Sequence, residues 1–344
     1  MKPGCYTALI TPFKEGGIDY EGLDRLTAFQ MENGISGILA VGTTGESPTL
    51  SWDEHKNVIT AVAKNSDDKC ICIAGTGSNN TKETLAGTAH AADVGAGAVL
   101  LVDPYYNGPS SLEIRREYVA PVAAAFPELT IIPYIIPGRT GAQLLPEDLA
   151  LLAREFGNIN TVKEATGNLE NMKKTRKCCG DDYLILSGDD GLTSQMMTDP
   201  EISAGGVISV ITNIVPRAVA DMVRLFNQGK PAEASKLESA LAPLFNLVTV
   251  NTMEKTPWGE VVCRARNPLA VKTLMQILGL PSGPCRKPVG RMTRAGLDKV
   301  LDIARTVQAE NPEIFKPLAD FFNVDIDRRL NDPVFQKGLC YESY

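Results

Sequence analysis

Residues 161–168 read TVKEATGN, and the lysine in third place closes a short apolar run. An ammonium group taken into an apolar interior loses its hydration, so burial lowers the pKa of Lys163 and raises the fraction of neutral amine. A neutral amine adds to a ketone and, after loss of water, gives a Schiff base. That group is an electron sink for making or breaking the adjacent carbon–carbon bond. The plainer alternative is a buried ion pair. Glu164 is a poor partner for one, because successive side chains along a strand point to opposite faces. Position alone leaves both readings open.

Other reactive side chains close other apolar runs. SGILAVGTTG carries Thr43 and Thr44, GAVLLVDPYY carries Tyr105 and Tyr106, LTIIPYIIPG carries Tyr134 with Arg139 just beyond, and YLILSGDDG carries Gly188 and Asp189. Schiff-base chemistry moves protons at the carbinolamine and enamine stages, and a tyrosine hydroxyl linked through a threonine to a second tyrosine supplies a path. Tyr134, Thr44 and Tyr106 are the candidates. Each alone reads more simply as a side chain satisfying nearby backbone; beside Lys163 the set favours catalysis. Arg139, in IPGRTG, offers a bidentate fork for a carboxylate, with a surface salt bridge as the alternative. The GTTGE loop offers backbone N–H groups and two hydroxyls to another carboxylate. Metal chemistry fits poorly. The only two histidines, His55 and His90, fall in helical segments, and Asp189 and Asp190 read as turn or cap residues with no further placed ligands.

These ends belong to a repeating pattern. Eight short β-rich runs (CYTALITPF, SGILAVGTTG, KCICIAGTG, GAVLLVDPYY, LTIIPYIIPG, INTVKEATG, YLILSGDDG and GGVISVITN) are each followed by a break and a segment of helical periodicity. DYEGLDRLTAFQMENG places Leu23, Leu26, Ala28 and Met31 near one face and stops at Gly34. SWDEHKNVITAVAKNS opens with Ser51 and Glu54 in capping-box form, and NTKETLAGTAHAADVG opens similarly with Asn80 and Glu83. Strands alternating with helices predict a parallel sheet covered on both faces, and eight units predict an α/β fold, a closed (β/α)8 TIM barrel over residues 1–230. A doubly wound sheet fits less well, since TPFKEGG after the first run lacks the GxGxxG phosphate fingerprint. Beyond Asn227 the pattern predicts a C-terminal helical subdomain over 231–315, from AEASKLESALAPLFNLV, NPLAVKTLMQILG and TRAGLDKVLDIARTV. An extension follows over 316–344. In such a barrel the site lies at the carboxyl ends of the strands, where the reactive residues fall.

Composition narrows the partners. At 344 residues the chain buries a large core, and its net charge of −7 argues against nucleic acid, which needs basic residues gathered on one face. The eight cysteines include no CxxC pair and read as reduced thiols. Met1 runs straight into a strand-like segment and no apolar run approaches the roughly 18 residues of a membrane span, so the expectation is a cytoplasmic protein with no membrane partner.

The motifs GTTGESPTL, AGTGSNNT, PYYNGPS, PGRTG, VKEATGN, SGDDG, GVISV and NPLAVK occur in the order seen in the 4-hydroxy-tetrahydrodipicolinate synthase family, of the pyruvate-dependent aldolase superfamily. The resemblance covers residues 4–305, and GTTGE with the arginine favours this family over N-acetylneuraminate lyase, where the loop usually reads GSTGE. The resemblance implies that Lys163 forms an imine with pyruvate, whose carboxylate is held by Thr43 and Thr44, and that the enamine attacks L-aspartate 4-semialdehyde. It implies a proton relay of Tyr134, Thr44 and Tyr106, with Tyr106 crossing a dimer interface. Arg139 would hold the semialdehyde carboxylate, and Gly188 and Ile208 would line the pyruvate pocket. No cofactor is implied. The family usually forms a homotetramer of two tight dimers, and some members are inhibited by L-lysine at positions matching Ser47, Trp52, His55, Asn79, Glu83 and Tyr105. One departure concerns the second substrate: the family commonly has asparagine after the strand 5 tyrosine, where this chain has Ile135. Another pyruvate-dependent aldolase, lyase or dehydratase is the alternative within this chemistry. A catalytically silent metabolite-binding barrel is the alternative outside it.

Overall fold

The computed structural model describes residues 1–66 and 70–344. Eight parallel strands close into a barrel in chain order: Gly4–Ala8, Gly37–Ala40, Ile71–Gly75, Ala98–Val102, Thr130–Ile135, Thr161–Glu164, Leu184–Ser187 and Gly206–Ser209. The first strand closes the ring by pairing with both the second (Tyr6 opposite Gly37) and the eighth (Tyr6 opposite Ile208). All eight β-rich runs thus become barrel strands; the first residue of KCICIAGTG, Lys69, lies outside the described residues.

The strand period of two sorts side chains into two apolar layers. Tyr6, Leu39, Ile73, Leu100, Ile132 and Leu186 fill the barrel interior. Their neighbours Ile38, Val99, Ile131, Val162, Ile185 and Val207 face outward and join the larger core shared with the helices. Fully burying one such side chain contributes roughly 1.5–3 kcal/mol, so neither face tolerates a one-residue slip in register.

Helix ends follow the local sequence. Tyr20–Glu32 is capped by Asp19, whose Oδ1 accepts from Gly22 N at 2.9 Å, and it runs out at Gly34 with φ +80°. Trp52–Asn65 carries the complete Ser51/Glu54 capping box. Thr81–Asp93 has the Asn80 cap, but the Glu83 carboxylate accepts from Ser78 Oγ at 2.6 Å instead of returning to the cap, so the expected reciprocal box is absent there.

The C-terminal region differs from the expected all-helical arrangement. Helices Pro231–Phe245, Leu269–Leu278 and Arg294–Glu310 are present, but an antiparallel hairpin, Thr249–Thr256 with Gly259–Arg266, stands between the first two. Its first strand alternates cleanly, with Val250 and Thr252 buried between exposed Thr249, Asn251 and Met253. The polar outward residues dilute that signal in the sequence. In the tail, Phe321 and Phe322 pack on Phe29 with ring centroids 5.2 and 5.1 Å away. Tyr341 N donates to Met292 O at 2.9 Å. Among the described residues, no helix is long and apolar enough to cross a membrane, and no three His, Cys, Asp or Glu converge to hold a metal.

Candidate active site

Tyr134 and Lys163 lie opposite each other on adjacent strands, both pointing into the barrel mouth. Lys163 is 5% exposed, and its Nζ lies 4.4 Å from the centre of the Tyr134 ring. Among the described residues no hydrogen-bond acceptor or carboxylate contacts this amine. Burial brings its pKa down to about 7, with the Asp190 charge opposing that shift and Arg139 adding to it. Near neutral pH about half of the amine is therefore unprotonated. Glu164 points the other way, as expected, and is satisfied among the helices: Thr166 N donates to Oε1 at 2.7 Å and Asn171 Nδ2 to Oε2 at 3.1 Å.

Space beside the amine depends on Gly188. A Cβ there would lie 2.7 Å from Ala165 Cβ and 3.1 Å from Lys163 Cε. Ile208 is part of the inner barrel cluster. The Tyr134 phenol is buried too, which pushes its pKa up to about 12, with Arg139 and the Thr43 hydroxyl pulling it back. A phenol so poised stays protonated and can donate.

The three expected relay hydroxyls are not brought together within one chain. Thr43 faces Tyr134 and lines a cavity of about 200 Å³ with Ser47, Tyr105, Tyr134, Ile136 and Arg139. Thr44 is buried and its Oγ1 accepts from Asn267 Nδ2 at 2.9 Å. Tyr106 is 93% exposed, held at φ +83°. Arg139 sits in the short helix Pro137–Thr140, where Nη2 donates to Asn267 O at 3.4 Å. Burial lowers its pKa, the Tyr134 interaction opposes this, and the like charge of Arg266 adds to it.

Two sequence expectations change. Ile135 is fully buried in the outer core, away from the cavity, because it follows Tyr134 on a strand. The residue after it, Ile136, is the one at the cavity wall. The polar neighbour expected at position 135 would therefore not face the site in this chain. Asp189 does cap its turn, its Oδ1 accepting from Gly191 N at 2.9 Å. Asp190 is not a turn residue in that sense: it is buried, accepting from Val210 N at 2.9 Å and from the Ser209 hydroxyl. Burial raises its pKa to about 6.

Sequence reasoning also passed over Asn267, Glu46 and Lys272. Glu46 adopts φ +57° at the end of GTTGE. Its Oε1 accepts from Lys272 Nζ at 2.6 Å and its Oε2 from Arg286 N at 2.8 Å, which ties the loop bearing Thr43 and Thr44 to helix Leu269–Leu278 and the loop after it. The quoted motifs GTTGE and NPLAVK contain both partners, but nothing in their spacing pairs them.

The positions matched to a lysine site fall into groups. Ser47 Oγ lies 3.2 Å from His55 Nε2, and the Trp52 and His55 rings are 5.2 Å apart. Burial pushes the His55 pKa down to about 4, so the ring is neutral. Ser47 and Tyr105 share the cavity wall, while Glu83 pairs with Ser78 and Asn79 is exposed. Among the described residues no hydrogen bond joins Asn79 or Glu83 to the Ser47–His55 pair.

An unpaired buried amine beside a buried phenol, at the carboxyl ends of adjacent strands of a (β/α)8 barrel, marks the class of lysine-dependent lyases that act on carbonyl compounds. The chain belongs to the dihydrodipicolinate synthetase family, whose model matches residues 1–307. It is 40% identical to the 4-hydroxy-tetrahydrodipicolinate synthase of Methanococcus aeolicus over 289 residues, 84% of this chain and 93% of that one. It is also 40% identical to that of a Sulfurihydrogenibium species over 303 residues, 88% of this chain and 97% of the relative. Among solved structures, the dihydrodipicolinate synthase of Aquifex aeolicus superposes with a TM-score of 0.80 at 37% identity, covering 92% of this chain and 100% of that one. A structure of the enzyme from Cyanidioschyzon merolae with lysine bound gives 0.80 at 33% identity, covering 88% and 97%.

Proposed function

We propose that this chain is a Schiff-base-forming lyase that condenses pyruvate with L-aspartate 4-semialdehyde to 4-hydroxy-tetrahydrodipicolinate, on the diaminopimelate route to lysine. The observation that carries it is the Lys163 amine, buried, without an acceptor among the described residues and about half unprotonated near neutrality. The neutral amine adds to the pyruvate ketone, and loss of water leaves an imine. Loss of a methyl proton gives the enamine, whose carbon attacks the aldehyde. The substrate's own amine then displaces Lys163 from the imine carbon, closing the ring and regenerating the lysine.

In this reading Tyr134 donates and recovers protons at the carbinolamine, and Thr43 and Thr44 hold the pyruvate carboxylate in the space kept by Gly188 and Ile208. The exposed position of Tyr106 suits its use by a second subunit, with Thr44 and Tyr134 completing the relay in a homotetramer built from two tight dimers. Arg139 binds the semialdehyde carboxylate. L-Lysine would inhibit by binding near Ser47, Trp52, His55, Asn79, Glu83 and Tyr105, where the neutral His55 and the nearby cavity wall favour a small amino acid. The setting is cytoplasmic.

Borohydride reduction with pyruvate, followed by peptide mass mapping, tests the centre of the reading. A stable adduct on Lys163 is expected. An unmodified Lys163, or an adduct elsewhere, rules it out.

A further inference from the structure

A second cleft, about 390 Å³, opens beside the catalytic cavity between the hairpin and the segment 288–293. Arg139, Arg264, Arg266 and Arg291 line it, and among the described residues no Asp or Glu does. The chain as a whole carries 41 acidic against 34 basic residues, so this lining runs against the overall charge. Among the described residues none of the four arginines is in an ion pair. Arg115, Arg224, Arg286, Arg294 and Arg305 all have carboxylate partners.

The hairpin creates this arrangement. Arg264 and Arg266 are two residues apart on one strand and so share a face. Their cross-strand partners are Asn251 and Thr249, neutral residues at the positions where an acid would neutralise them. Among the described residues Arg266 Nη2 donates to Gly138 O alone, at 3.4 Å, at the long edge of hydrogen bonding. Guanidinium groups gathered without counter-charge repel one another and are relieved by an anion. Val250, on the opposite face of the hairpin from Arg264 and Arg266, joins Leu269, Val289 and Met292 in the apolar part of the cleft wall. Arg139 lines this cleft and the catalytic cavity alike.

We propose that the cleft is an anion-binding site for a small dicarboxylate, adjoining the catalytic cavity across Arg139. Several planar forks lining one cleft that also has apolar wall suit two carboxylates joined by a short carbon chain, whereas a compact phosphate has no use for the apolar part. The natural ligand is the dicarboxylate product on its way out; that identity rests on the function proposed above, but the binding itself does not.

The test is calorimetric titration of the full chain with glutarate, with and without prior pyruvate trapping by borohydride. Saturable binding is expected in both states. The Arg264→Ala/Arg291→Ala variant should lose affinity by roughly tenfold or more, since two charge-assisted contacts are removed. Both residues are exposed, and the variant should keep its melting temperature and any pyruvate trapping. No saturable binding, equal affinity in the variant, equally tight binding of inorganic phosphate, or loss of glutarate binding after trapping would each overturn the site. Failure of pyruvate to trap Lys163 would instead count only against the proposed function.

Discussion

Lys163 and Lys272 are both buried lysines whose pKa is lowered chiefly by loss of hydration, yet their surroundings are opposite. Lys272 is fully enclosed and saturated: its Nζ donates to Glu46 Oε1 at 2.6 Å, Thr11 O at 3.0 Å and Pro284 O at 3.4 Å, and lies 4.3 Å from the centre of the Phe13 ring. Lys163 has the Tyr134 ring and a glycine-lined space, with no acceptor among the described residues. Burial alone does not make a nucleophile. A buried amine whose hydrogens are all taken is a structural post, whereas one left without acceptors is available to a carbonyl carbon.

The sharpest way to break this comparison is to remove each amine in turn. Lys163→Ala should lower kcat by roughly 10⁴-fold or more, as loss of a covalent nucleophile does, while the denaturation midpoint holds or rises. A large fall in stability would make Lys163 a structural residue like Lys272. Lys272→Met should leave the Glu46 carboxylate buried without its partner and cost about 3–5 kcal/mol in urea unfolding. Adding Glu46→Gln should recover part of that loss; an unchanged midpoint in the single variant would mean the pair is not the brace described here.

A smaller effect comes from protonation. In the proposed mechanism only the neutral amine attacks, and burial brings the Lys163 pKa down to about 7. Single-turnover imine formation should therefore fall about tenfold per pH unit below about pH 6 and level off above about pH 8. A profile still rising at pH 10 would show an ordinary, hydrated lysine. Smallest of all, Asp190→Asn removes the charge that opposes the depression of the Lys163 pKa while its amide oxygen keeps one of the two acceptors that Ser209 and Val210 use. The midpoint of that profile should move to lower pH. A move upward, or none, would remove Asp190 from the electrostatics of the site.

Much of this was legible in the chain itself. The eight β-rich runs, their helices and the reactive residues at their ends follow from local periodicity, and the opposite facing of Glu164 follows from the strand period. The same period also accounts for Ile135: one residue after an inward tyrosine, it faces outward, so its apolar nature says little about the second substrate. The hairpin was less visible, since a two-stranded ribbon with one solvated face has little apolar contrast along the sequence. Asp190 read as one of two turn acids, and only the folded chain separates an exposed cap from a buried acceptor.

By itself, then, the sequence determined the barrel, the inward direction of Lys163 and Tyr134, and the chemistry an amine and a phenol can do together. These depend on residue type and on short-range alternation. Tertiary structure alone decided which buried lysine is satisfied and which is free, that Thr44 turns to Asn267, and that unneutralised arginines gather beside the cavity. Such facts rest on contacts between segments more than 100 residues apart: Glu46 to Lys272, Thr44 to Asn267 and Gly138 to Arg266. No local pattern encodes those meetings, because they form only when the barrel closes and the C-terminal elements fold back over its mouth.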